Sequence, residues 1–164
     1  MRWVAASLVV AVAVVVSAAA SGGVSAAPSC STSQLVVWLD TQGDHAAGST
    51  YFELRFTNLG STCTLRGYPG VSAVNLAGAQ LGKAASRDPS GTHRLVTLGR
   101  GVTAKAVVRI TTVQNFPRSA CRPASAAGLR VYPPNQTSWK VVPFPFAACA
   151  GSPVFLFVRS VEKA

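Results

Sequence analysis

The sequence predicts an all-β chain: an Ig-like antiparallel β-sandwich of about seven to nine strands, following a cleaved N-terminal signal peptide. Three observations predict it. Two long segments alternate apolar and polar residues with period two. Turn signals separate the apolar runs roughly every 8–15 residues. No segment carries the periodicity of an amphipathic helix.

The elements follow in order. Arg2 supplies a short positive start, and Val4 to Ala20 is apolar apart from Ser7 and Ser17. Small residues then lead to Val24-Ser25-Ala26, an A-x-A-like cleavage pattern. Residues 1–26 therefore read as a secretory signal peptide, and residues 27–164 as a single disulfide-bridged domain. The competing reading is an uncleaved anchor, because the apolar run lies near the lower end of the ~17–25 residues that span a bilayer. Ser21-Gly22-Gly23 favours cleavage. A lipid-modified Cys30 would need a short apolar-small box before it, and Pro28 fits that box poorly. No later segment is long and apolar enough to span a membrane.

The half-buried strands are the clearest. In Thr50 to Asn58, Phe52, Leu54 and Phe56 face one way and Tyr51, Glu53, Arg55 and Thr57 the other. In Thr103 to Thr111, Ala104, Ala106, Val108 and Ile110 face in, and Lys105, Val107, Arg109 and Thr111 face out. Gln34 to Asp40 is more continuously apolar and suits a central strand. Shorter candidates are Cys63–Leu65, Val71–Leu76, Leu95–Leu98, Leu129–Tyr132, Trp139–Val142 and Val154–Ser160. Asn58-Leu59-Gly60, Tyr68-Pro69-Gly70, Asp88-Pro89-Ser90-Gly91, Gly99-Arg100-Gly101 and Pro133-Pro134-Asn135 are turn or loop signals. Pro69-Gly70 can fill the centre of a type II turn, with the glycine at positive φ. Ala120 to Ala127 is the one stretch that could hold a short helical turn, and Gln114 to Ser138 is the most irregular region.

Four cysteines remain after residue 26: Cys30, Cys63, Cys121 and Cys149. An even number in an exported chain reads as two disulfides. Of the three connectivities, Cys30–Cys63 with Cys121–Cys149 is preferred. Each closes a loop of roughly 30 residues, worth about 3–4 kcal/mol in the chain-entropy model. No cysteines are closely paired and only His45 and His93 are present, so a zinc site is not expected. Cys63 reads as a bridge partner and not a nucleophile, since no spacing brings it a base.

In these respects the chain resembles an actinobacterial family of secreted proteins known as domain of unknown function 4232. The residues that carry the resemblance are Cys30, then YFELRFTNLGSTCTLRGYPGVSAVNLAGAQLG, VTLGRGVTAKAVV and CRPASAAGLRVYPP, and finally Cys149 before a last strand. The Leu98-Gly99-Arg100-Gly101 turn departs from the Pro-Gly more often seen there, which touches turn geometry only. The resemblance implies an exported or lipid-anchored β-sandwich at the cell envelope. It implies no activity, cofactor or catalytic residue.

Charge and motifs then bound the function. Without Arg2, fourteen basic residues face five acids, a net charge of +9. That balance permits association with anionic polymers or lipid head groups, though the charges are scattered and no run of like charge occurs. The basic residues do not interleave with aromatics along a strand, so no nucleic acid is expected as a partner. The leading expectation is a secreted or cell-envelope-associated, non-catalytic binding module, monomeric and without a cofactor, engaging an anionic envelope polymer or another envelope protein. Its candidate surface is Arg66 and Tyr68 at one turn, with Arg87 and Arg94 flanking the Asp88–Gly91 loop, on the expectation that these loops meet. A hydrolase with a site assembled around His93 and Asp88 is one alternative, although G-x-S-x-G, H-E-x-x-H and S-x-x-K are all absent. A purely structural surface protein is the other.

Overall fold

The computed structural model describes residues 26–164, so the signal-peptide reading lies outside the described residues apart from Ala26. Twelve strands, two 3-10 turns and one short helix make up the fold. The strands are β1 (Leu35–Ala46), β2 (Ser49–Asn58), β3 (Cys63–Leu65), β4 (Gly70–Val74), β5 (Gln80–Leu81) and β6 (Ser86–Asp88). They continue with β7 (Val96–Leu98), β8 (Thr103–Thr111), β9 (Pro123–Tyr132), β10 (Lys140–Cys149), β11 (Leu156–Arg159) and β12 (Glu162–Lys163). The helix α1 is Arg118–Cys121. A six-stranded sheet runs β1-β2-β8-β11-β6, with β12 also on β8. A four-stranded sheet runs β10-β9-β4-β5, and β3 pairs with β7. The fold is an all-β sandwich.

The alternating segments form the middle of the larger sheet. In β8, Ala104, Ala106, Val108 and Ile110 are buried. The alanines sit opposite large residues, Ala104 beside Phe56 and Ala106 beside Leu54, so small and large side chains share the space between the layers. Leu156 and Val158 of β11 continue this inner face, and Val71, Ala73, Leu129, Val131 and Val142 cover it from the four-stranded sheet. Phe52 and Phe144 close one end, edge to face at 4.9 Å, and link the two sheets. Every described strand, both disulfides and the described buried core lie within residues 27–164.

Several sequence expectations are corrected. β1 is an edge strand and not a central one. Its apolar run conceals an alternation: Leu35 and Leu39 are buried, while Val36 and Trp38 face solvent. The helical turn ends at Cys121, Arg122 takes positive φ, and Pro123 opens a ten-residue strand. Cys149 pairs directly with Pro123 in register, so strand pairing claims residues whose local composition looked irregular. β10 carries Pro143 and Pro145, which an edge strand tolerates because one side needs no donor. The left-handed residue of the 66–70 turn is Gly67, at φ 96°, and not Gly70, which begins β4. The pairing is not wholly antiparallel: β6 lies parallel to β11. The long path between them, and not a hairpin, sets their direction.

Candidate functional site

The segment from Arg55 to Gly78 joins the layers and carries one wall of the candidate site. Its structural centre is Asn58, fully buried. The Asn58 amide donates to the Ser61 and Leu98 carbonyls, both at 2.9 Å, and its Oδ1 accepts from Gly60 N–H at 2.9 Å. Its backbone also exchanges bonds with Gly101 and Val102. A side chain that satisfies both turns at once is what the F-x-N-x-G pattern encodes here. Cys63, five residues on, is bonded to Cys30, and Cys121 is bonded to Cys149; no cysteine is free among the described residues. Thr64 brackets the first bridge: its carbonyl accepts from Cys30 N–H and its N–H donates to the Pro28 carbonyl.

After this joint, Gly67 turns the chain and Tyr68 projects toward the 87–94 loop. The Tyr68 hydroxyl lies 3.2 Å from His93 Nε2, and the two rings meet edge to face with centroids 5.1 Å apart. The Arg87 guanidinium lies 5.4 Å from the centre of the Tyr68 ring. The two loops do come together. Tyr68 and Arg87 line a cleft of about 360 Å³ with Gly67, Gly70, Tyr132 and Asn135. Gly70 packs closely here: a Cβ would stand 3.3 Å from Tyr132 Cβ, and the tyrosine would have to give by a few tenths of an ångström. Asn135, at φ 60°, donates its amide to the Arg66 backbone carbonyl at 3.3 Å and ties the two loops together, while the exposed Arg66 side chain does not line the cleft. Arg94 is not part of this group. It lines a separate cleft of about 690 Å³ with Leu95, Glu162 and Lys163.

The 87–94 loop is held from below. Asp88 Oδ1 accepts from Ser90 N–H at 3.0 Å, and Oδ2 from Arg159 Nε at 3.3 Å. Ser90, through side chain and backbone, and then Arg159 hold the Asp88 carboxyl below its ordinary value. The Ser160 hydroxyl donates to the Thr92 carbonyl at 2.6 Å. Asp88 is thus committed to the loop. The hydrogen-bond partner of His93 is a tyrosine, and no described serine or carboxylate bonds to it, so a Ser-His-Asp arrangement is not assembled there.

What the cleft offers chemically is one unengaged guanidinium. The Arg87 side chain makes no hydrogen bond or ion pair with any described residue. Stacked on an aromatic face, it keeps its N–H edge free for a carboxylate or phosphate, which it can hold through two parallel bonds. Tyr132 and Asn135 are the residues here that sequence reasoning missed. Pro133-Pro134-Asn135 marked a loop, but nothing in it told where the loop would lie.

A second surface was also hidden. On the outer face of the six-stranded sheet, Trp38, Arg55, Lys105 and Glu162 fall in one cross-strand row, and Tyr51, Arg109 and Phe157 in another. Arg55 lies over Trp38 at 5.3 Å and Arg109 over Phe157 at 3.8 Å. Basic and aromatic residues therefore do interleave, across strands and not along them. Arg55 and Lys105 are nevertheless engaged, in ion pairs with Asp40 and Glu53.

A family model described as Domain of unknown function (DUF4232) matches residues 30–156, well over half of the chain. The chain belongs to this family. Its matched region begins at Cys30, whose bridge opens the domain, and takes in Asn58, Gly67 and the Arg87 cleft. No curated protein and no solved structure matches the chain. The two disulfides fit an oxidising, extracellular environment, and no described helix is long and apolar enough to cross a membrane.

Proposed function

We propose that this DUF4232 domain is a secreted or envelope-associated binding module, acting as a monomer and without catalysis, that holds an acid group of an anionic envelope polymer in the Arg87 cleft. The observation that carries the reading is the unpaired Arg87 guanidinium stacked on Tyr68 in an open cleft. All four described ion pairs lie on the six-stranded sheet and none of them involves Arg66 or Arg87, which leaves those two available. Loops at the end of a sandwich can bind without disturbing the core. The net positive charge adds long-range attraction for a polyanion.

The test is titration with a carboxylated or phosphorylated envelope polysaccharide, followed by calorimetry at low and high salt. Binding should weaken with salt and fall about tenfold or more in Arg87→Gln, the scale of one charge-assisted contact. Tyr68→Leu should weaken it less. Equal affinity in wild type and Arg87→Gln would overturn the reading.

A further inference from the structure

The Arg94 cleft, which takes no part in the proposed function, lies between two strand edges. β7 pairs with β3 alone and β12 with β8 alone, so each leaves one side of its backbone without a neighbouring strand. The cleft of about 690 Å³ is lined by consecutive residues of both: Arg94 to Thr97 on one wall, Glu162 and Lys163 on the other, with Thr92 beside them. No residue of β3 or β8 lines it, which puts the cleft on the unpaired side of each strand.

The chain leading into β7 is equally unpaired. The Ser160 hydroxyl holds the Thr92 carbonyl, and beyond that tie no hydrogen bond among the described residues joins residues 93–98 to residues 161–164. The backbone groups of His93, Arg94 and Leu95 bond to no described residue. In β7, Val96 and Leu98 turn into the core and Thr97 turns out. Leu95 continues the outward row just before the strand and is 61% exposed. Arg94 and Lys163 are exposed, Glu162 is half-buried, and none of the three belongs to a described ion pair.

The backbone selects the occupant. Sheet edges are commonly blunted by proline, a bulge or brevity, and β10 uses Pro143 and Pro145. β7 and β12 are short, yet the stretch from Arg94 to Leu98 contains no proline or bulge and presents an apolar side chain, so it keeps the form of a pairing template. An extended peptide is the ligand that brings N–H and C=O groups to both walls at once, and a sugar or a lipid has no such ladder to offer. Arg94 and Lys163, two uncommitted cations against the single carboxylate of Glu162, favour acidic over basic residues in that peptide. We propose that the cleft between β7 and β12 receives an extended, acidic segment of a partner protein. The segment adds as a strand to β7 and faces β12, with an apolar side chain on Leu95 and a carboxylate toward Arg94 and Lys163.

The test uses residues 27–164, which contain every described strand and both disulfides, and a capped synthetic peptide alternating valine and glutamate. Backbone amide exchange is followed by nuclear magnetic resonance with and without saturating peptide. Amides of both walls, among Arg94–Thr97 and Glu162–Lys163, should exchange about tenfold more slowly with peptide bound. The same peptide with methylated backbone amides should not bind, because it keeps every side chain and loses the ladder donors. A peptide with lysine in place of glutamate should bind about tenfold more weakly. Leu95→Ser should weaken binding about fivefold and Arg94→Gln about threefold. Leu76→Ser, an exposed leucine beside the other sheet, should change nothing. Circular dichroism confirms that each variant is folded. The proposal is overturned if either wall stays unprotected, if the methylated or the lysine peptide binds as well, or if Leu95→Ser binds as wild type does. Protection around Tyr68 and Arg87 instead would overturn it too, and would assign the peptide's carboxylates to that cleft. So would a concentration-dependent dimer that Leu95→Ser dissolves, which would make a second copy of this chain the occupant.

Discussion

The two sheets share a core but finish their outer faces in opposite ways. The six-stranded face carries all five acids and pairs three of them: Arg55 with Asp40 and Glu53, Lys105 with Glu53, and Arg159 with Asp88. Its outward-facing Trp38 and half-buried Phe157 are covered by Arg55 and Arg109. The four-stranded face leaves Leu76, Trp139 and Val141 open to solvent and holds no acid; its Arg130 bonds to the Gly78 carbonyl and lies over Trp139. One face is laced with ion pairs and the other has none among the described residues. Burial of the inner faces is a demand of folding common to both layers, whereas the outer faces are free to differ, so their difference points to use and not to stability.

The comparison can be broken or sharpened by experiment. The largest effect should come from Cys121→Ala with Cys149→Ala, because that bridge ties the start of β9 to the end of β10. The double variant should lose about 2–5 kcal/mol. Amide exchange should open β9 and β10 before β2 and β8; uniform opening would deny the two layers their separate stabilities. Next is Asn58→Ala at the end of β2. It strands the Leu98 carbonyl and the Gly60 N–H, so chemical denaturation should show a loss of about 3 kcal/mol. Gly128→Ala should cost about 1–3 kcal/mol, since its Cβ would meet the Val142 carbonyl of the neighbouring strand. A neutral result would mean that the β9–β10 pair yields more readily than its register suggests.

Smaller effects belong to the charged face. Glu53→Gln removes the shared partner of Arg55 and Lys105, both partly exposed, and should cost only about 0.2–1 kcal/mol by thermal melting. Asp88 supplies a pH signature. Ser90 and Arg159 lower its pKa in the folded state, so the folded protein binds that proton less readily than the unfolded chain does. The stability it contributes is complete above the ordinary value of 3.8 and fades as pH falls through the lowered folded value. Acid unfolding of Asp88→Asn should be shallower in that window; an unchanged profile would remove Asp88 as a tie between loop and sheet.

Much of this was legible in advance, for identifiable reasons. Thr50 to Asn58 and Thr103 to Thr111 announce themselves because each is half-buried, and half-burial writes a period of two. β5, β6 and β12 are two or three residues long and leave no period to read. β1 misleads because solvent-facing Val36 and Trp38 are apolar, so its alternation vanishes from composition. The candidate site divides the same way. Tyr68 and Arg87 could be named from turn chemistry, but not the approach of Tyr132 and Asn135, nor the placement of Arg94 in a different cleft.

The sequence by itself therefore determined the fold class, the inward faces of the long strands and the presence of cysteines enough for two bridges. These depend on local periodicity and on counts. Tertiary structure alone decided which strands lie side by side, that β6 runs parallel to β11, and that Arg87 settles on Tyr68. It also gathered every acid onto one sheet and left Leu76 bare on the other. The physical reason is that strand neighbours and register are set by contacts between residues far apart in the chain, whose energies no local window contains.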